Sequence, residues 1–443
     1  MKVAIGIDSA DSLYGGCTTH ALYRIFKRLY VKGFIDRLLD YPLLIRLNPA
    51  VPGKTRGNGA VALKLEVSEN VAPDLLIEEV TDEVTSYVSR ALGDVSKVGV
   101  AIVFGDPDNI LYDIYLKALT DFVHLDYVKA VIDRVKGVML PLGLSRGCVG
   151  ALAAIGWRGT RCTYELLVYR HPLNAGKTER SVDVERLRSL DLIPEYTTFC
   201  SYDHENERDV SVPKGPDPIL LGIRGLDPEK LVGTLSYLRF KEPIEGWIIF
   251  KTNQATGDHM IPRASVELKP FRTGCVAGRV EEVSVMVGGD VLLSVDDGYG
   301  RLRVVVFKET GLTRYASLLR RGDVVRFCGV VKAWSSLEPV LHVEYIEILD
   351  LATSYLRMNP KCPKCGKRMK SAGKGKGYKC PSCGFRSSNL TPETRILPRE
   401  LSPGVYLPSC GSAKHLSIPE QLPIAGVDCV FREPRHVSDF YGL

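Results

Sequence analysis

Two Cys-x-x-Cys knuckles, Cys362-Pro-Lys-Cys365-Gly and Cys380-Pro-Ser-Cys383-Gly, stand 14 residues apart near the C-terminal end of this 443-residue chain. Each knuckle turns the backbone sharply, with Gly366 and Gly384 relieving the turn, so that four thiolates converge on one tetrahedral site. That spacing is the pattern of a zinc ribbon. Four cysteines leave no open coordination position, so the Zn²⁺ is structural rather than catalytic. The stretch from Lys361 to Lys379 has no acidic residue, and its cations, Lys364, Lys367, Arg368 and Lys370 among them, suit the phosphate backbone of RNA. A lysine face that is merely solvated is the plainer reading of the same run.

A chain of this length exceeds a single hydrophobic core, and roughly three to four domains are expected. Apolar residues make up 45% and charged residues 25%, the balance of a soluble, foldable protein. No apolar run approaches the roughly 18 residues that span a bilayer, and Met1 to Asp8 reads as a first strand rather than a signal peptide, so a cytoplasmic protein without a membrane partner is expected. The net charge of +6 is too mild to identify a polyanionic partner by itself, and its concentration in the ribbon says more. Eight further cysteines (Cys17, Cys148, Cys162, Cys200, Cys275, Cys328, Cys410 and Cys429) form no recognisable framework. Their scatter fits a reducing compartment, although hyperthermophiles carry disulfides inside the cell.

Apolar runs at 3–7, 43–47, 60–67 and 98–104 read as strands, and 17–30, 75–91 and 111–135 carry helical periodicity, which makes an α/β domain over 1–136. From Gly137 the order strand (138–142), helix (146–155), strand (164–169), long polar insertion, strand (219–223), helix (228–238), strand (246–251) is βαββαβ, the ferredoxin-like order, over 137–265. An insertion of that length is expected to carry function or pack on a neighbour. Five strands with a short helix (312–319) between the third and fourth follow over 266–350, the OB-fold pattern. The zinc ribbon and an extended C-terminal tail with little secondary structure complete the chain at 351–443. The fold class is multidomain α/β and α+β.

Three segments have the composition of a chemical site. Gly6-Ile-Asp8-Ser-Ala-Asp11 followed by Gly15-Gly16-Cys-Thr18-Thr19 lies where a strand ends and a helix begins. Asp8 and Asp11 can hold Mg²⁺ through oxygen ligands, and Gly15 and Gly16 allow phosphate close to the helix N-terminus. Together these suggest a nucleoside triphosphate site, although the Gly-Lys-Ser/Thr ending of a Walker A loop is absent. An Asp-rich turn with Thr18 as an ordinary helix cap is the bland alternative. The second segment, Arg46-Leu-Asn48-Pro through Lys54-Thr-Arg56-Gly57-Asn58-Gly, supplies cations and amides for phosphate. In the third, Asn253, Gln254 and His259 suit base edges or a small amine, or a solvated linker.

These motifs, with Arg146-Gly-x-x-Gly150, Lys251-Thr-Asn-Gln-Ala-Thr256, the OB segment and the four-cysteine ribbon, occur in the order in which the chain resembles the archaeal tRNA(Ile) 2-agmatinylcytidine synthetase family. The resemblance spans essentially the whole sequence. It implies a kinase-like ATP- and cytidine-activating domain, a ferredoxin-like domain, an OB-fold tRNA-binding domain and a zinc ribbon. It further implies that ATP phosphorylates the C2 carbonyl oxygen of the wobble cytidine in isoleucine tRNA with a CAU anticodon, and that agmatine displaces the phosphate, switching decoding from AUG to AUA. An amide-like carbonyl oxygen leaves poorly until phosphorylated, so Mg²⁺ and ATP are required by the chemistry. By position, Asp8 and Asp11 hold the metal, Thr18 matches the family's phosphorylatable threonine, Lys54 and Arg56 stabilise the phosphoryl group, and Gly15, Gly16, Thr19, Arg46, Asn48, Gly57 and Asn58 contact ATP. The family usually has Asp-Asp-Thr-Asp where this chain has Asp8-Ser9-Ala10-Asp11, so ligation is expected to lean on water or on another carboxylate such as Asp106. The competing class is a non-catalytic OB-fold and zinc-ribbon protein that binds nucleic acid.

Overall fold

The computed structural model describes residues 1–443 except 108, 136, 334–338, 423–428, 430–433, 435 and 443, and the side chains of Arg56 and Ala333 also lie outside the described set. Strand β1 (Lys2–Asp8) is followed by α1 (Thr18–Val31), β2 (Ile35–Leu38), β3 (Leu43–Arg46), β4 (Gly59–Val67), α2 (Pro73–Arg90), β5 (Gly99–Phe104), α3 (Asn109–Thr120), α4 (Leu125–Ile132) and β6 (Val138–Met139). Then come α5 (Gly147–Gly156), β7 (Thr163–Arg170), α6 (Val184–Leu190), the short hairpin β8 (Tyr202–Asp203) and β9 (Arg208–Asp209), β10 (Ile219–Gly225), α7 (Pro228–Tyr237) and β11 (Ile244–Thr252). Expected strands and helices are largely in place. One difference is that the long helix at 111–135 breaks in two, where Asp121 Oδ1 accepts from the Phe122 amide and turns the chain.

The first two domains share one sheet, in the order β10-β7-β11-β3-β4-β1-β5-β6, joined where β11 runs parallel to β3 with Lys251 opposite Leu43. The strand expected at 138–142 to open the second unit is only two residues long and pairs with β5 instead, because Pro141 offers no N–H to extend the ladder. Its helix α5 likewise packs on β1, β4 and β5 of the first unit. Nearly every residue of β1 is buried, since helices cover both faces of the sheet there. Each fully buried Ile or Leu of this core contributes about 1.5–3 kcal/mol.

The barrel consists of β12 (Thr273–Val285), β13 (Val291–Asp296), β14 (Arg301–Val306), the one-turn helix α8 (Thr313–Ala316), β15 (Val324–Ala333) and β16 (Pro339–Asp350), closed by parallel pairing of β14 with β16. The helix expected at 312–319 is thus shorter than its apolar run. After it come β17 (Tyr355–Met358), three two-residue ribbon strands β18 (Lys370–Ser371), β19 (Tyr378–Lys379) and β20 (Arg386–Ser387), then β21 (Glu393–Ile396), β22 (Gly404–Tyr406) and β23 (Tyr441–Gly442).

The C-terminal segment is not the loose tail expected. It adds β22 to the edge of β16, and β23 to β11 with Ile248 opposite Tyr441, and buries Phe440 and Tyr441 among Tyr23, Phe26 and Tyr41. The cysteine expectation is corrected as well: Cys162–Cys429, Cys200–Cys410 and Cys275–Cys328 are disulfides, and two of the three fasten this segment to the body. Cys17 and Cys148 remain free and buried. No helix among the described residues is long and apolar enough to cross a membrane.

Candidate active site and zinc ribbon

Asp8 ends β1 on the face that meets α5. The approach is so close that a Cβ on Gly150 would stand 2.0 Å from Asp8 Oδ2, and one on Gly147 would stand 2.3 Å from the Gly99 amide nitrogen. The Arg-Gly-x-x-Gly spacing is therefore a packing requirement of this carboxylate. Gly150→Ala is expected to displace Asp8 or lift α5, lowering activity at least about tenfold, read as modification rate beside a melting curve. Burial first, and then the neighbouring Asp11 charge, push the Asp8 carboxyl up to about 8.

After Asp8 the chain passes through Ser9 in the left-handed region, with φ 65°, and reaches Asp11. The Thr18 hydroxyl donates to Asp11 Oδ2 at 2.8 Å and accepts from the Ala10 amide at 3.2 Å. Thr18 is thus the first residue of α1, whose cap is Cys17, and the capping alternative for Thr18 falls away. The helix-start amides are engaged inside the turn: Gly16 N–H meets Ser12 Oγ, Cys17 N–H meets the Tyr87 hydroxyl, and Thr18 N–H meets Asp11 Oδ1. Gly15 adopts φ 100° to make this turn. Phosphate-facing groups here are consequently side chains.

Asp11 stands between two cavities. The larger, of about 560 Å³, is lined by Asp8, Asp11, Lys54, Asn58, Lys97 and Arg146. Partial burial, then the charges of Lys332 and Lys414, hold the Lys54 ammonium below its ordinary value. The smaller, of about 250 Å³, is lined by Asp11, Thr18, Thr19, Arg46 and Gly57, with Glu165 and Arg224 from the adjoining sheet, Asp217 from the insertion and His415 from the C-terminal segment. The basic loop is therefore split: Lys54 and Asn58 face the first cavity while Arg46 and Gly57 face the second. Arg46 is tied to Gly57 O at 3.3 Å and lies 3.7 Å from Glu165, and its buried Nε has no hydrogen-bond partner. The Arg56 side chain lies outside the described residues. Asn48 is fully buried and braces the loop by donating to Asp121 O and Phe271 O, so it holds the wall rather than facing a ligand.

Two expectations are corrected. Asp106 cannot complete the Asp8 site, because β5 runs antiparallel to β1 and places it at the far end, paired with Lys2 at 3.0 Å. Asn253, Gln254 and His259 are not a reading surface, since all three are fully buried. Asn253 clamps both backbone groups of Arg46 at 2.7 and 2.9 Å, and His259 pairs with Glu344 of the barrel at 3.0 Å. Sequence reasoning missed Arg146, Glu165, Arg224 and His415. Arg146 had a signal in its glycine motif, whereas His415 had none.

In the ribbon, the Cys362, Cys365, Cys380 and Cys383 sulfurs all lie within 4.8 Å of one another. Tetrahedral Zn–S bonds of about 2.3 Å require separations of this size, so the donor set fits Zn²⁺. Each knuckle closes by a glycine amide bonding back to its first cysteine, Gly366 to Cys362 O at 2.8 Å and Gly384 to Cys380 O at 3.1 Å. Lys364, Lys367, Arg368 and Lys370 are exposed, but Arg368 is engaged by Asn359 O and Glu393 and Lys364 lies over Phe385.

An α/β body with a cation-rich cavity, an OB barrel and a zinc ribbon define a multidomain nucleic-acid-binding protein with a separate phosphate-type site. Comparison with known proteins makes this specific. The chain matches the TiaS TCKD domain over residues 4–141, the TiaS FLD domain over 145–259, an OB-fold nucleic acid binding domain over 275–349 and the TiaS C-terminal zinc ribbon domain over 359–401. The tRNA(Ile) 2-agmatinylcytidine synthetase TiaS of Thermofilum pendens is 40% identical over 436 residues, 95% of each chain. A complex of TiaS with its isoleucine tRNA and ATP superposes with a TM-score of 0.83 at 32% identity, and a complex of TiaS with that tRNA, AMPCPP and agmatine with 0.80 at 30%, each covering 98% of this chain and all of the other. The chain belongs to the tRNA(Ile) 2-agmatinylcytidine synthetase TiaS family.

Proposed function

We propose that this chain uses ATP to phosphorylate the C2 carbonyl oxygen of the wobble cytidine in the CAU-anticodon isoleucine tRNA and joins agmatine at that carbon, giving 2-agmatinylcytidine in the cytoplasm. Family membership supports the reaction. The observation that carries the site is the Asp11–Thr18 pair between two cavities of opposite character, one rich in cations for phosphate and one with Glu165 and Asp217 for a cationic amine.

Asp8 and Asp11 fit Mg²⁺, being adjacent oxygen donors of which one is buried and driven toward its neutral form, a state that a divalent cation reverses. When bound, Mg²⁺ neutralises charge on the transferring phosphoryl group. Lys54 and Arg146 orient phosphate oxygens from the opposite wall, with Arg56 assigned by its place in the motif. Asp11, accepting from the Thr18 hydroxyl, is placed to take that proton as Thr18 receives a phosphoryl group. Arg46 and Thr19 position the incoming base and amine in the smaller cavity. Barrel and ribbon hold the tRNA, with Lys367 and Lys370 meeting phosphates.

Because Asp8 is protonated below about 8 without metal, Mg²⁺ binding must release a proton there. Apparent Mg²⁺ affinity should rise with pH, by up to about tenfold per unit, and flatten above 8. Titration calorimetry in two buffers of different ionisation heat checks this. Likewise, Lys367→Gln with Lys370→Gln should make the plot of log affinity for tRNA against log salt shallower by about 1.4–1.8 units. The functional reading is tested by ATP consumption with and without the CAU-anticodon tRNA: stimulation by the tRNA is expected, and none would leave a binding protein only.

A further inference from the structure

His415 reaches the smaller cavity from a segment far from the other site residues in sequence. The segment is held by Ala255 N–H donating to His415 O at 2.7 Å and Gly257 N–H to Leu416 O at 2.9 Å, while Lys414 and Ser417 both bond Glu344 of the barrel at 2.6 Å. The disulfide Cys200–Cys410 ties it to the insertion five residues earlier. So anchored, the imidazole is positioned by the fold rather than by a flexible tail.

Hydrogen bonding determines its tautomer. Gln254 Nε2 donates to Glu165, which turns Gln254 Oε1 toward His415 Nδ1 at 2.9 Å. An amide oxygen can only accept, so the proton of the neutral ring sits on Nδ1. Nε2 then keeps its lone pair, on the edge where a Cβ added to Gly57 would come within 3.2 Å. Arg46 of β3, Arg224 of β10 and Lys54 bring positive charge to the ring, while Glu165 stands behind Gln254 and Asp11 and Asp217 line the same cavity. The Arg46 charge, then burial, then Arg224 hold the imidazole well below its ordinary range, so it is neutral and ready to accept a proton at physiological pH.

We propose that His415 is a catalytic residue, the base that takes the proton of the attacking amine in the second half of the reaction proposed above. In that step the amine lone pair bonds to C2, the C2–O bond to the phosphoryl group breaks, phosphate leaves with that electron pair, and an N–H proton passes to Nε2. The imidazolium then returns its proton to water. The inference rests on the agmatine-transfer reading, and the following design separates the two.

His415→Asn keeps a donor for Gln254 Oε1 but has no base, and His415→Ala leaves room for added imidazole. Wild-type protein, both variants and a melting curve for each are compared for ATP consumption and for agmatine incorporation into the CAU-anticodon isoleucine tRNA. Expected are wild-type incorporation, a loss of about 10²–10⁴-fold in incorporation for His415→Asn with ATP consumption within a few-fold, and at least about tenfold recovery of His415→Ala by imidazole. If the wild type incorporates nothing, the functional reading itself fails. If it does incorporate agmatine, the base assignment is overturned by His415→Asn incorporation within about threefold of wild type, by equal loss of both half-reactions, or by a His415→Ala protein that folds and ignores imidazole.

Discussion

Replacing Asp11 by alanine is expected to lower agmatine incorporation by about a thousandfold or more, while tRNA affinity stays within a few-fold of the parent. The residue borders both cavities and accepts the Thr18 hydroxyl at 2.8 Å, so its loss removes a cation ligand and the partner of the proposed phosphoryl acceptor together. Several kcal/mol of charge stabilisation on the transferring phosphoryl group disappear with it. The structural cost is smaller, about 1–3 kcal/mol for one buried hydrogen bond, and relief of like-charge repulsion on Asp8 offsets part of it. Filter binding or fluorescence anisotropy with the CAU-anticodon tRNA, run beside the incorporation assay, separates the two effects. Weakened binding in proportion to lost activity would place Asp11 in the RNA interface instead.

The second large effect concerns the ribbon. Cys362→Ser with Cys380→Ser removes one ligand from each knuckle, and the apolar core there consists of Cys362, Met369 and Cys380 with Tyr378, Phe385 and Leu390 partly buried against them. So small a cluster cannot fold alone, and metal binding contributes on the order of 10–16 kcal/mol in such units. The double variant should therefore lose its zinc, unfold the ribbon and bind tRNA about tenfold or more weakly. The α/β body and the barrel have their own cores and should keep their melting transition. Metal analysis after dialysis, calorimetry and tRNA titration read the three consequences separately.

Local pattern made most of the elements legible. Continuous apolar runs marked β1, β4 and β5, and Gly-Ile-Asp at the end of β1 located the site. What lay hidden was non-local. Pairing of β11 with β3, which merges two domains into one sheet, depends on contacts more than 200 residues apart in sequence, with Lys251 opposite Leu43. Cysteine pairing is not deducible from spacing, so Cys162–Cys429 and Cys200–Cys410 appeared as scatter. The segment after 400 has too little periodicity to signal strands, and β22 and β23 exist because the edges of β16 and β11 accept them. For that reason His415 was invisible, as were Glu165 and Arg224, which read as ordinary charged positions in strands. The polar run at 253–259 misled in the other direction, because polar groups this dense are usually solvated, whereas here they join the α/β body to the barrel and the C-terminal segment.

The central claim is that this protein builds 2-agmatinylcytidine. Purified protein incubated with CAU-anticodon isoleucine tRNA, ATP, Mg²⁺ and agmatine, followed by nucleoside mass spectrometry, tests it most directly. One cytidine per tRNA is expected to gain the mass of agmatine less one water, at the wobble position and only when ATP and agmatine are both present. An unmodified wobble cytidine, under conditions where the protein is folded and binds the tRNA, would contradict it.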